Sequence, residues 1–336
     1  MRLEDLPSRR HEAWKWSDLR AVIANRAEML NGAGPVGPEG PVAALAQAMG
    51  DGYGPVAVDI AASGGSLENR FTEGDPGSYG SITVRSGATA HLIERFSVSG
   101  SRLRPWLPAY TRIEIEPGAI LRRIILQDNS LSDGQTDEAV VLNEAVVRMG
   151  HGATYQQFVL AEGARFSRFE TSVSIEGEGA VVQLAAVYMA SAKRHVDLTS
   201  RVSHLKPGAM VRQVVKGAVR SGGRSVFQGK FLVAKQAQKT DAEMAHNVLL
   251  LEEGAEVFAK PELEIYADDV ACAHGNTAGQ LDENAIFYLR QRGLQEAEAR
   301  AMITRAFLIE AVPGWVGQAL HDEIERRIDS WLGTRA

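Results

Sequence analysis

A Gly-Ala pair recurs through the middle of this chain, beginning at Gly87, Gly118, Gly152, Gly163, Gly179, Gly208, Gly217 and Gly254, usually with an aliphatic or aromatic residue soon after. Successive members of the subset Gly87, Gly118, Gly152, Gly179 and Gly208 stand 31, 34, 27 and 29 residues apart. A loose repeat of that length suits a stack of similar coils. Each coil of a parallel β-helix turns corners where space is short, so glycine supplies permissive backbone angles and alanine a small inward side chain. The intervening segments fit. From about Ser81 to Ala267, short runs rich in Val, Ile, Phe and Thr, such as Ser81-Ile-Thr-Val84 and Thr154-Tyr-Gln-Gln-Phe-Val-Leu160, replace helical periodicity. A β-sandwich or jelly roll also contains many short strands, but tight hairpin signals are sparse here, Asp133-Gly134 being the clear case. The pattern predicts a mainly β parallel solenoid.

The flanks have a different texture. Residues 1–30 carry Leu19, Val22, Ile23 and Met29 at helical spacing, with Asp18 close to Trp14 and Trp16. The run Asn31-Gly-Ala-Gly-Pro-Val-Gly-Pro-Glu-Gly40 cannot hold a helix and is expected to be a linker or exposed loop. A second loop is expected over Ala61–Gly80, which is rich in Gly, Ser and Asn. After Gly279 three apolar stripes follow: Leu281, Ala285, Tyr288 and Leu289; then Ala299, Met302, Ile303, Ala306 and Phe307; then Val316, Leu320, Ile324, Ile328 and Leu332. Gly293 and Pro313-Gly314 separate them. The expected organisation is an N-terminal helical and loop region over 1–80, a β-helix core over 81–279 and a C-terminal helical domain over 280–336.

Composition narrows the function. The formal net charge is -6 and no long Lys/Arg run occurs, so the electrostatic footprint of a nucleic-acid binder is missing and a protein partner is the better expectation. The N-terminus Met1-Arg2-Leu3-Glu4-Asp5 is not a secretory start, and the most apolar run, Val181–Ala192, is interrupted by Gln183 and too short to span a bilayer. A cytoplasmic location without membrane contact is expected. The single cysteine, Cys272, excludes an intrachain disulfide and a self-contained site of four thiolates.

Catalytic signatures are scarce. Gly217-Ala-Val-Arg-Ser-Gly-Gly-Arg-Ser225 has Gly223 where a phosphate-binding loop needs lysine. Gly32-Ala-Gly-Pro-Val-Gly37 has dinucleotide-binding spacing but follows a helical pattern and is blocked by Pro35 and Pro38. Neither a His-Glu-x-x-His motif nor a Gly-x-Ser-x-Gly elbow occurs. His321 and Glu325 lie one helical turn apart, a spacing more common in solvated contacts than in metal sites.

The densest chemistry is in Lys260-Pro-Glu-Leu-Glu-Ile-Tyr-Ala-Asp-Asp-Val-Ala-Cys-Ala-His-Gly275. Strand alternation turns Leu263 and Ile265 inward and leaves Glu262, Glu264 and Tyr266 on the other face, before Asp268-Asp269 turns the chain. Cys272 and His274 are two apart and so leave one face of a resumed strand together. They are either a small core residue beside a hydrogen-bonded corner histidine, or half of a metal site completed by another chain.

The same segment resembles the C-terminal signature of the SufD branch of the SufB/SufD family of Fe-S assembly scaffolds. The similarity runs through Thr240-Asp-Ala242, Leu249-Leu-Leu251, Lys260–Val270, Cys272-Ala-His-Gly275, Gly279-Gln-Leu-Asp282, Phe287-Tyr-Leu-Arg290, Arg292-Gly293 and Ala299-Arg300. Glu12-Ala-Trp-Lys-Trp-Ser-Asp-Leu19 also resembles the family's N-terminal Trp-Lys-Tyr-Thr-type segment, with Trp16 and Ser17 as departures. The resemblance implies a right-handed parallel β-helix, assembled with SufB through the solenoid and with the ATPase SufC through the C-terminal helices. It leaves room for a homodimer of the isolated chain. It further implies that Cys272 and His274 sit at the SufB-facing surface where a transient Fe-S cluster forms, His274 being the stronger candidate. Arg300, Arg305 and Phe307 would face SufC. No cofactor of the chain's own is expected, a flavin is left open, and no catalysis is expected of the chain alone. Glu243, His246 and Asn276 depart from the family pattern, His246 being either an added ligand or a satisfied histidine. Two rivals are a SufB-like cluster bearer, which usually carries more cysteines, and a β-helix carbohydrate enzyme, for which Asp197 and Glu170 lack an obvious pairing.

Overall fold

The computed structural model describes residues 2–24, 39–49, 56–61, 64–71, 78–98, 106–129 and 139–333. The expected linker from Asn31 to Pro38, residues 25–30 of the first helical pattern and the pair Asp133-Gly134 lie outside them.

The centre is a parallel β-solenoid whose strands alternate between two sheets. One sheet contains β1 (Val56–Ile60), β3 (Ser78–Val84), β5 (Trp106–Ile115), β7 (Val140–Met149), β9 (Phe166–Ile175), β11 (His195–His204), β13 (Arg224–Val233) and β15 (Glu256–Ile265) in that spatial order. The other contains β2 (Gly65–Phe71), β4 (Thr89–Val98), β6 (Ile120–Asn129), β8 (Thr154–Ala161), β10 (Val181–Ala190), β12 (Met210–Val219), β14 (Asp241–Leu250) and β16 (Ala271–Gly279). We call them the odd and even sheets. Every assigned pairing between these strands is parallel.

The Gly-Ala pairs account for the corners. Gly87, Gly118, Gly152, Gly179 and Gly208 all adopt positive φ at the turn from the odd to the even sheet. Each following alanine is buried. The glycine amides then bond up the stack, Gly118 N donating to His151 O at 2.8 Å and Gly208 N to Gln238 O at 2.9 Å. Gly217 is different. It lies within β12 under the ring of Tyr188, where any Cβ would collide with the aromatic carbons, so this glycine marks a close approach rather than a corner.

Two expectations need correction. Strands begin by Val56, so the solenoid extends into the region assigned to helix and loop, and the loop expected over Ala61–Gly80 contains β2 and the start of β3. β2 reads Gly-Ser-Leu-Glu-Asn-Arg-Phe, in which Leu67 packs on the core but is followed by the polar run Glu-Asn-Arg, so its apolar alternation is too weak to announce a strand. The N-terminal helical content among the described residues is slight: two single-turn 3₁₀ segments, the five-residue α1 (Leu19–Ile23) and α2 (Pro41–Met49).

Helical elements cover the outer faces. Leu6, Trp14, Leu19, Ile23, Val42 and Leu45 pack with Trp106, Val140, Leu142 and Phe166 of the odd sheet. The three C-terminal stripes become α3 (Glu283–Arg290), α4 (Glu296–Ile309) and α5 (Gln318–Leu332). Leu308, Val316, Ile324 and Ile328 bury themselves against Ile124, Phe158, Leu160, Val187 and Met189 of the even sheet. Each such aliphatic or aromatic side chain removed from water stabilises the docked arrangement by roughly 1.5–3 kcal/mol before entropy is counted. In α3 the buried residue is Ile286, while Tyr288, assigned to the first stripe, is exposed.

Candidate functional site

The solenoid ends at β15 and β16, each of which, among the described residues, is hydrogen-bonded to a sheet neighbour on one side only. The register sets Cys272 on Ala242, His274 on Met244 and Asn276 on His246. Ala242, Met244 and His246 are buried, so the three residues of β16 continue an inward-facing rank past the last covered coil. Cys272 is half-buried, packing against the main core and against Val233, Ala237 and Ala267. His274 is exposed. A thiol and an imidazole thus share one face of a strand whose free edge carries unpaired backbone groups. Burial pushes the Cys272 thiol above its ordinary range, the Asp241 charge adds to this, and a backbone hydrogen bond with Ala242 opposes it. The resting thiol is protonated at neutral pH and must lose a proton to a soft metal before it can ligate.

His246 answers the question its sequence position posed. Its Nε2 lies 2.9 Å from the Tyr188 hydroxyl and its Nδ1 2.7 Å from Asn276 Oδ1. The ring stacks on Phe227 with centroids 4.5 Å apart. Because Asn276 presents an oxygen, Nδ1 carries the proton and donates, and Nε2 accepts from Tyr188. Burial pulls its pKa down to about 4, with the Asn276 bond opposing. Both nitrogens are engaged, so His246 is a structural histidine in this state. The departures at 246 and 276 are partners of one another.

The neighbouring features are structural as well. Asp269 caps the corner stack: its carbonyl accepts from Lys239 N at 2.7 Å, its amide donates to Gln238 Oε1 at 2.9 Å and its carboxylate pairs with Lys239. Glu243 points outward toward Arg212, 3.8 Å away. In the helical tail, Arg300 pairs with Glu283 at 3.0 Å and Glu296 at 3.2 Å, and Arg305 with Asp329 at 2.8 Å and Glu325 at 3.0 Å. Phe307 faces the solenoid, with the Lys216 ammonium 4.5 Å from its ring centre. The outward part of this tail is a groove of about 870 Å³ lined by Leu294, Ala301, Met302, Arg305 and Leu332 among others. His321, Asp322 and Glu325 bring ligand atoms within 4.8 Å of one another, but Arg305 holds Glu325 and Gln318 bonds Asp322 at 2.6 Å.

Two charged clusters give no signal in sequence because their members are far apart along the chain. Inside the solenoid, Arg123 is fully buried and donates to Glu94 at 2.5 Å, Gln157 at 3.1 Å and Asn143 at 3.0 Å. On the odd sheet's outer face, Arg168 holds both Glu170, at 2.8 Å, and Asp197. The two acids that lacked a pairing therefore share one buried guanidinium. Ser17 and His195 join them, which assembles the residue types of a hydrolytic triad. The wiring is not that of a nucleophile: the buried Ser17 hydroxyl donates to Asp197 directly, beside His195 Nε2 at 3.1 Å, whereas catalysis needs the imidazole between the two.

A family model described as "SUF system FeS cluster assembly, SufBD core domain" matches residues 78–307. The iron-sulfur cluster assembly protein SufD of Escherichia coli is 35% identical over 252 residues, 75% of this chain and 58% of that protein. An iron-sulfur cluster assembly SufBD family protein of Synechocystis is 31% identical over 170 residues, 50% of this chain and 38% of the relative. One from Mycobacterium tuberculosis is 29% identical over 184 residues, 52% and 46% respectively. The chain spans about half the length of the relatives it matches.

Proposed function

This chain belongs to the SufB/SufD family of iron-sulfur cluster assembly proteins and is SufD-like, and from that premise we propose that it is a non-catalytic scaffold subunit offering Cys272 and His274 to a site completed by a SufB-type partner. The observation that carries the proposal is the position of the pair on the last strand. A lone thiol and an imidazole cannot hold a cluster, but they stand on an unpaired edge where a second chain can add both backbone hydrogen bonds and ligands. The cluster is then cargo, assembled at the junction and passed on.

Energy would come from a SufC-type ATPase docked on the helical tail, since the chain has no phosphate-binding lysine in a glycine loop. The groove beside Met302 and Arg305 is the part of that tail left open, while Phe307 supports the helix from behind. Movement of α4 and α5 would reach the solenoid through Leu308, Ile324 and Ile328 on the even sheet, which is the sheet that ends in β16.

The test pairs assembly with supply. A tagged chain should retain SufB-type and SufC-type proteins when purified from its host, identified by mass spectrometry. His274→Ala should leave that complex intact while lowering the activity of cluster-dependent enzymes in the same cells. Unchanged supply would make the histidine merely structural. A full-stoichiometry cluster on the isolated chain after anaerobic reconstitution with iron and sulfide would favour the SufB-like reading instead.

A further inference from the structure

Coils of a solenoid touch only their neighbours, so the terminal coil, paired on one side, is the first expected to open. Here that coil is β15 and β16, and it has a tether from outside the stack. Six consecutive residues near the N-terminus reach four successive strands of the odd sheet. The Trp14 ring lies 4.1 Å from the Arg168 guanidinium on β9. Ser17 is buried and bonded to His195 and Asp197 on β11. On β13, Gln228 Nε2 donates to the carbonyl of Ala13 at 3.1 Å. Trp16 stacks on Phe258 of β15 with ring centroids 6.0 Å apart, and Glu12 pairs with Lys260 at 2.5 Å. Arg224 of β13 lies 4.7 Å from the same Phe258 ring, so aromatic and cationic groups interleave across the last two odd strands.

We propose that residues 12–17 are a strap that fixes the last coil of the solenoid to its middle, holding β15, and through the 266–270 turn β16, in register. The buried end of the strap, Trp14 and Ser17, sits on the well-covered middle strands, and the half-buried or exposed end, Trp16 and Glu12, grips β15. Anchor and grip are thus of unequal strength, and loosening the grip should free the coil while the anchor stays. The strap also spans 248 residues of sequence between Glu12 and Lys260, turning a nearest-neighbour stack into one with a long-range clasp. The coupling is a property of the fold and holds whether or not Cys272 and His274 take part in cluster assembly.

The experiment is amide hydrogen exchange by mass spectrometry on the full chain, wild type against the double variant Trp16→Ala, Glu12→Gln. These substitutions leave the buried anchors in place. The expected result is exchange faster by about tenfold or more in 256–279, with 140–175 changed less than about twofold. Lys260→Gln cuts the same tether from the coil side and should give the same pattern at smaller amplitude. Unchanged protection of 256–279 in both variants overturns the proposal, whatever happens to peptides of the strap itself. Equal acceleration of all strands overturns it too, because the contact would then be part of global stability.

Discussion

His246 and His274 stand on neighbouring strands at the solenoid's end yet occupy opposite environments. The first is sealed between Phe227 and Tyr188 with both nitrogens bonded, and the second stands exposed on the unpaired strand. His246→Ala removes a packed ring and leaves the Tyr188 hydroxyl without its partner, so it should destabilise the fold by about 2–4 kcal/mol, measured by urea unfolding. His274→Ala should change the same measurement by less than about 0.5 kcal/mol and act only on cluster supply. A reversed order would exchange the roles assigned to the two residues. Sequence pattern sufficed to pair Cys272 with His274, since parity along a strand fixes the face. It left His246 open because its partners come from β10, two strands back in the sheet, and β16, the next strand on, 58 and 30 residues away in sequence.

At the level of elements, the corners were legible and the interior contacts were not. A left-handed backbone demands glycine, so the requirement is written in the residue itself at Gly87 through Gly208. The next corner breaks the rule: Lys239, 31 residues after Gly208, takes φ +60 in the glycine's place. A lysine there is strained, and its ion pair with Asp269 is exposed and worth little. Lys239→Gly should therefore raise stability by up to about 1 kcal/mol, seen as a higher melting temperature, despite the lost pair. Gly217 carries the opposite expectation. Gly217→Ala drives a methyl into the Tyr188 ring and should cost about 1–3 kcal/mol, whereas a simple loop glycine would tolerate the change. Nothing in the sequence distinguishes Gly217 from the corner glycine Gly208, each followed by alanine, because only the facing strand reveals which one is crowded.

Across the whole molecule, the solenoid's two faces are covered by segments from either side of it in sequence, and buried ionisable groups lie both where those segments meet the sheets, as His195 does, and inside the solenoid, as His204 and His246 do. That arrangement is invisible to pattern reading, since Ser17 and Asp197 are 180 residues apart. It does leave a titration signature. Burial holds the pKa values of His195 and His246 down to about 4, against 6.5 for a free imidazole, and His204 is displaced in the same direction. Between those values the unfolded chain binds more protons, so stability rises with pH, by up to about 1.4 kcal/mol per unit for each histidine, and is fully present above 6.5. Glu144 works the other way. Burial first, and then the neighbouring Glu170, push its carboxyl up to about 8 from 4.5, against the pull of Arg168 and Arg201. The folded chain therefore holds an extra proton from 4.5 to 8, and this contribution is lost as pH rises through that window. The histidines outweigh Glu144 below 6.5 and fall silent above it, so unfolding free energy should peak near pH 6.5 and decline toward pH 8. Glu144→Gln keeps the shape and the hydrogen-bonding capacity of the protonated acid but cannot ionise. Urea unfolding of that variant should climb to the same pH and then level off; a decline that persists would place the alkaline-side titration on another group.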